Sequence, residues 1–194
     1  MKMSRQSEQI LEEQLLIQLQ KLGYQYVSIA DEKDLLANLQ VQLEKHNQAA
    51  LAKTGNSKFS KTEFERVLNL LNKGSVFEKS KTLRQKQHII RDAPEGAATG
   101  ENLYFEFLNT EHWCQNQYQV THQVSQAGTY KNRYDVTILI NGMPLVQIEL
   151  KRKGLELKEA FNQINRYQRH SFGANTALFQ YVQIFIISNG VNTK

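Results

Sequence analysis

Cysteine is nearly absent from these 194 residues: Cys114 stands alone. No intramolecular disulfide can form, and a reducing cytoplasm is the expected setting. The neighbours Trp113 and Tyr118 suggest that this thiol packs in the core or at its boundary. No stretch has the charged start and apolar middle of a signal peptide, and none reaches the ~20 apolar residues of a membrane span. A soluble chain is therefore expected. There is no Gly-x-x-x-x-Gly-Lys-Ser/Thr loop, which removes the common device for holding ATP phosphates. His46, His88, His112, His122 and His170 show no metal-ligand spacing with one another or with Cys114, which argues against zinc.

What the chain does have is positive charge. The formal net charge is +5 and the pI about 9.2, which favours a polyanionic partner, a solvated basic surface being the plainer alternative. The first half reads as helical. Ile10, Leu11, Leu15, Leu19 and Leu22 recur at helical spacing before a stop at Gly23, and residues 31–52 and 60–73 repeat the pattern. Residues 78–91 hold Lys79, Lys81, Arg84, Lys86 and Arg91 with few acids; this is a phosphate-contacting stretch or a mobile basic loop. Pro94, Gly96 and Gly100 mark a break at 93–100 between a mainly helical region (1–92) and a strand-rich core (101–194). Glu101-Asn102-Leu103-Tyr104-Phe105 looks like a tag-protease site, but the sequence runs on into the core and is read as native. Residues 118–124 alternate as a strand, Leu157 to Ile164 reads as an amphipathic helix, and Tyr181 to Ile187 as a buried strand.

Chemistry concentrates between Arg133 and Lys151. Tyr134, Val136, Ile138 and Ile140 alternate with Asp135, Thr137 and Leu139; beyond Asn141-Gly142, Val146, Ile148 and Leu150 alternate with Leu145, Gln147, Glu149 and Lys151. Each strand thus has an apolar face and a mainly polar one. Pairing must keep the apolar faces together, because a one-residue slip reverses every side chain. A plain two-residue turn would set Asp135 opposite Ile148, whereas a three-residue loop or a bulge beside Gly142 sets it opposite Glu149; the bulged form is expected. Two carboxylates offer oxygen ligands to magnesium. A lysine two residues past the second lies on the same strand face and can hold an attacking water and offset charge on a phosphate. Acidic-x-Lys triplets at Asp31 to Lys33 and Glu156 to Lys158 lie instead in charged, helix-like stretches. On pattern alone, an ordinary amphipathic ribbon accounts for the hairpin equally well.

The run Tyr134-Asp135…Asn141-Gly142-Met143-Pro144-Leu145-Val146…Glu149-Leu150-Lys151 resembles the N-terminal nuclease domain of the R (HsdR) subunit of type I restriction enzymes. Glu8, Leu22-Gly23-Tyr24, Gln163…Tyr167 and Ser188-Asn189-Gly190-Val191 fall where that family's landmarks would. The resemblance implies an α/β (α+β), restriction-endonuclease-like PD-(D/E)xK core, with a mixed central sheet flanked by helices and an N-terminal helical region. It gives Asp135, Glu149 and Lys151 the catalytic roles, with Asp135 and Glu149 as metal ligands. Gln163 and Tyr167 match the Gln-x-x-x-Tyr motif of RecB-like nucleases and would steady DNA or the carboxylates; without the motif they read as helix surface. Glu8 would be the first-helix acid that reaches the metal, with Glu12 next in line; a helix-dipole role is the structural alternative for Glu8. Tyr134 stands where a proline is common, a departure that touches backbone shape and not chemistry. The resemblance further implies Mg2+, with Mn2+ as substitute, double-stranded DNA, modification and specificity subunits as partners, and a bacterial or archaeal cytoplasm. ATP would belong only to helicase lobes absent from this chain, which would be the N-terminal part of a longer helicase–nuclease subunit. The alternatives are a nuclease-fold module that docks on DNA or partner subunits, and another RecB-like nuclease of DNA repair.

Overall fold

The computed structural model describes residues 8–96, 98–126, 132–152 and 178–194. They form two compact units, and among them no helix is long and apolar enough to cross a membrane.

The first unit is built on a five-stranded mixed sheet in the order β1-β4-β5-β6-β7, with strands Gln25–Tyr26, Tyr118–Gln126, Asn132–Ile140, Met143–Leu150 and Ile184–Ser188. β1 runs parallel to β4, β4 antiparallel to β5, and β7 parallel to β6. This mixed sheet with helices is the α/β class that the resemblance implies. Helix α1, Glu8–Lys21, packs Leu11, Leu15 and Leu19 on Val120, Val136, Ile138, Ile148 and Leu150. Burial of each such side chain contributes about 1.5–3 kcal/mol, so this contact fixes which sheet face turns inward. Gly23, at φ +97, ends the helix as expected while the Tyr24 N–H returns to the Leu19 carbonyl. The crossover segment from Leu157 to Tyr167 lies outside the described residues.

Two expectations need correction. The apolar run at Tyr181–Ile187 is not one buried strand: Leu178–Tyr181 form a 3-10 turn, and β7 begins only at Ile184, which is 54% exposed. Its apolar residues reflect an edge position and not full burial. The predicted 31–52 helix is divided into α2, Glu32–His46, and α3, Gln48–Lys53. At the break Asn47 is buried, its amide nitrogen donating to the Leu43 and Glu106 carbonyls while its oxygen accepts the Glu106 N–H.

The second unit carries most of α2, α3, then α4 (Lys61–Leu71) and α5 (Val76–Arg84), and a two-stranded ribbon of β2 (Gln87–Ile90) and β3 (Asn102–Phe105). Leu103 and Phe105 are buried in this ribbon, so the protease-like run forms part of the packed structure. α4 and α5 both begin with a Ser-x-x-Glu capping box. The basic stretch is only partly a candidate for phosphate. Lys81, Arg84 and Lys86 are exposed, but Arg91 is buried and every guanidinium nitrogen donates: to the Glu63 carboxylate, to Thr54 Oγ1, and to the Leu51, Asn56 and Lys58 carbonyls. Cys114 is exposed rather than packed, as is Trp113 beside it.

Removing one member of a buried ion pair strands the other, at a cost of about 3–5 kcal/mol. Arg91→Ala or Glu63→Ala is therefore expected to lower the urea midpoint of this unit sharply. Burial alone would raise Glu63, but hydrogen bonds from Arg91 and from the Ser60 and Asp92 N–H groups hold it below its ordinary value of 4.5. A depressed carboxyl stabilises above its unfolded value, and that stability is lost as pH falls through the lower folded one. Wild-type stability should drop across that acid window, and a Glu63→Gln variant that shows the same acid drop would contradict this account.

Candidate active site

Asp135 sits near the start of β5 and Glu149 near the end of β6, on the sheet face opposite the α1 core. Asn141 and Gly142 both have positive φ, +49 and +82, the signature of a primed hairpin turn. Across the strands Thr137 Oγ1 donates to Gln147 Oε1 at 2.8 Å, and the Asp135 and Glu149 carboxyls are hydrogen-bonded to each other. These pairs share one offset, a residue longer than a plain two-residue turn provides. An extra residue is therefore taken up between the two strands, as a bulge or longer loop provides.

The polar face is not wet. Thr121, Thr137, Gln147 and Glu149 are all buried; Thr137, Gln147 and Glu149 are joined by hydrogen bonds, whereas Thr121 Oγ1 has no partner among the described residues. Asp135 Oδ2 accepts the Leu150 N–H at 2.8 Å, and Gln147 Nε2 donates to Glu149 Oε1 at 3.3 Å. Burial pushes Glu149 up to about 9; the neighbouring Asp135 charge adds to this, while Lys151 and the Gln147 hydrogen bond oppose it. Burial also raises Asp135, against the Leu150 N–H, Lys151 and the Glu149 hydrogen bond, with the Glu8 charge adding to the rise. Glu149 is thus a neutral acid at pH 7 that donates its proton to Asp135. Lys151 is half-buried and its charge reaches both carboxyls.

Two acids of α1 approach from the other side. Glu8 Oε1 accepts the Arg152 N–H at 3.1 Å, which ties the helix start to the end of β6. Glu12 is buried and held by side chains of β4: Gln123 Nε2 donates to its Oε2 at 3.3 Å, and His122 Nε2 lies 3.8 Å from Oε1. Burial raises Glu12; Gln123 and His122 lower it, and the Asp135 charge raises it again. Glu8 and Glu12 are thus positioned by α1 and their charges reach Asp135, whereas Gln163 and Tyr167 lie outside the described residues. Among the described residues no three His, Cys, Asp or Glu side chains already converge as a metal cage. Sequence reasoning passed over Gln147, Thr137, Gln123 and His122. The alternation places the first two on the face of Asp135 and Glu149, a signal that was available; nothing local in the sequence marks Gln123.

Because Glu149 keeps its proton in the folded state, the unfolded chain ionises first as pH rises past 4.5. Stability in the presence of chelator is expected to fall between that value and about 9, the sign required of a raised carboxyl. Glu149→Gln, which cannot ionise, should flatten this slope and be more stable than wild type at pH 8. Parallel slopes in urea melts of the two proteins would show that Glu149 is not buried as described.

Comparison with known proteins was consistent across the chain. Residues 5–194 match the family model described as type I restriction enzyme R protein N terminus. The endonuclease subunit of the type I restriction enzyme SauCOLORF180P from Staphylococcus aureus (strain COL) is 46% identical over 192 residues, which is 99% of this chain and 19% of the relative. The EcoprrI endonuclease subunit of Escherichia coli is 40% identical over 195 residues, 98% of this chain and 58% of the relative. A putative subunit from Methanocaldococcus jannaschii, MjaVIIIP, is 33% identical over 96 residues. The chain spans about a fifth of the length of the staphylococcal relatives it matches. A match over nearly every residue, together with a mixed sheet carrying Asp135, Glu149 and Lys151 on one hairpin, places the chain in the family of type I restriction enzyme R protein N termini.

Proposed function

We propose that this chain is the DNA-cutting domain of a type I restriction enzyme R subunit, a Mg2+-dependent endonuclease that hydrolyses phosphodiester bonds. The observation that carries the reading is the hydrogen-bonded Asp135–Glu149 pair, Glu149 buried and Asp135 half-buried, with Lys151 beside it. A proton held between two hard oxygen ligands marks a place where a divalent cation fits, since binding there releases the proton and relieves the repulsion. Asp135 and Glu149 would hold the cation, with Glu8 or Glu12 of α1 as further acids. A bound Mg2+ or Mn2+ supplies Lewis acidity toward the phosphate and a lowered pKa for water. Lys151 orients the attacking water and offsets charge on the phosphate oxygens. Gln147 and the Leu150 N–H fix the carboxyl orientations, so the ligands need little rearrangement on binding. Gln163 and Tyr167 steady the DNA or the carboxylates.

In the longer subunit, ATP binding and DNA translocation belong to other lobes, and modification and specificity subunits choose the target. Asp135→Ala, Glu149→Ala and Lys151→Ala are each expected to abolish cutting by the assembled enzyme while ATP hydrolysis and translocation persist. Wild-type cleavage of plasmid by any one of them would remove that residue from the site. Mg2+ or Mn2+ is expected to raise the melting temperature as RT ln(1 + [ion]/Kd), and more strongly at pH 8 than at pH 6, because the cation displaces a proton. A shift that does not depend on pH would place the ion elsewhere. Assayed alone, these 194 residues are expected to bind unrelated duplexes weakly, with affinity falling steeply as salt rises, and not to turn over ATP; tight sequence-specific binding in a salt titration would refute the domain assignment.

A further inference from the structure

The positive charge of the chain sits in one stretch of the helical unit. From Lys61 to Arg91, eight Lys and Arg stand against three Glu, an excess of five that equals the +5 of the whole chain. Arg91 and Glu63 cancel one another in their buried pair. The excess therefore stays on the remaining side chains, of which Lys61, Lys73, Lys81, Arg84 and Lys86 are exposed. A field of one sign attracts a polyanion, but charge alone does not define a site.

The β2–β3 ribbon supplies what charge does not. Successive side chains alternate across it: Ile89, Leu103 and Phe105 are buried, while His88, Ile90, Asn102 and Tyr104 face outward. His88 stands opposite Tyr104 with ring centroids 5.6 Å apart and planes tilted by 36°, and Tyr104 is 61% exposed. Between the ribbon and α4 lies an open groove of about 370 Å3, with an apolar lining from Leu70, Ile89 and Ile90 and a polar one from Arg66, Lys73 and His88. Arg66 is already engaged: Nη1 lies 2.8 Å from Asp92 Oδ1 and donates to the Ile90 carbonyl at 2.7 Å. Lys73 has no side-chain partner among the described residues and is the available cation of the groove. Lys86, equally without one, precedes His88 by two residues in extended chain, so alternation puts it on the outward face as well.

Exposed rings and an apolar groove bordered by unpaired ammoniums suit one class of ligand. A duplex keeps its base faces in its own stack and offers phosphates alone. An unpaired strand offers phosphates and open base faces together, the combination that a basic groove with aromatic platforms takes. A protein partner would meet the same apolar face, but the cationic border favours an anionic ligand. We propose that the outer face of the β2–β3 ribbon, with the groove beside α4, binds unpaired DNA: Tyr104 and His88 stack on a base, and Lys73 and Lys86 hold neighbouring phosphates. The choice of DNA rests on the nuclease reading; the surface itself contains none of the residues assigned to cutting.

The test uses the full 194-residue chain in chelator, so that no strand is cut, with fluorescein-labelled oligothymidylate and a mixed-sequence duplex of equal length as probes. Wild type is expected to bind the single strand more tightly than the duplex. Tyr104→Ala should weaken oligothymidylate binding about 5–20-fold and duplex binding less than about twofold, while Tyr104→Trp keeps or tightens the former. Lys73→Gln and Lys86→Gln should each lower the slope of log affinity against log salt by about 0.7, the value for one phosphate contact on a single strand. Tyr104→Ala also removes a cross-strand ring pair, so its melting temperature is measured alongside; if it melts early, Tyr104→Trp and the two exposed lysine variants decide. Equal binding of both probes, unchanged oligothymidylate binding in a folded Tyr104→Ala chain, or unchanged salt slopes in both lysine variants would each reduce the surface to a solvated basic face and overturn the proposal. Failure of the nuclease reading has a separate signature: plasmid cutting by the assembled enzyme that survives Asp135→Ala, with oligothymidylate binding as in wild type.

Discussion

Two carboxyls placed side by side inside a protein cannot both carry charge, and the Asp135–Glu149 pair imposes that condition on everything around it. The register of β5 and β6 has to bring the two together, which requires the extra residue beyond the Asn141-Gly142 turn. The opposite face has to be apolar and covered, and α1 covers it with Leu11, Leu15 and Leu19. The polar face has to supply hydrogen bonds where water does not reach, and Gln147, Thr137 and the Leu150 N–H supply them. A sheet satisfying those demands leaves one proton between two oxygens. On the proposed reading, that proton is what a cation would displace, so binding there would change the charge of the pair.

The helical unit is organised by buried polar residues rather than by its apolar contacts alone. Arg91 gathers the carbonyls of Leu51, Asn56 and Lys58 around one guanidinium and anchors it on Glu63. Glu63 also caps α4 through the Ser60 N–H, so a helix start, a linker and the end of β2 share one ion pair. Asn141 does similar work at the hairpin tip, where its amide nitrogen donates to the Phe107 carbonyl and to Asn116 Oδ1, and its oxygen accepts the Gln117 N–H. Gly142 beside it has no room for a side chain: an added Cβ would lie 2.8 Å from the Leu39 Cα. The Asn-Gly pair is therefore fixed by packing as well as by turn geometry.

Period and spacing made the Asp135–Glu149 hairpin legible, because alternation over two strands leaves few ways to pair them and only one joins Asp135 to Glu149. The first helix and its stop at Gly23 were legible for the same local reasons. Features that depend on distant partners were not. The break at Asn47 follows from a hydrogen bond to Glu106, and the burial of Arg91 follows from Glu63; in the sequence one reads as mid-helix and the other as one more surface cation. The apolar run at 181–187 resembles a central strand because hydrophobicity alone does not distinguish an edge from a centre. The two-residue β1, parallel to β4, is too short to leave a pattern. Gln123, whose φ is +55, left no signal, since a strained backbone angle is a property of the fold and not of the residue type.

The edges of the five-stranded sheet carry one more consequence. At one side β1 offers only Gln25 and Tyr26. At the other, Lys194 exchanges both backbone hydrogen bonds with Ile187, and Thr193 bridges to Ser188, so the outward row of β7 is already occupied where it would be longest. Among the described residues, the backbone of β7 at Ile187 and Ser188 is thus taken up within the chain and is not open to a strand of a second molecule.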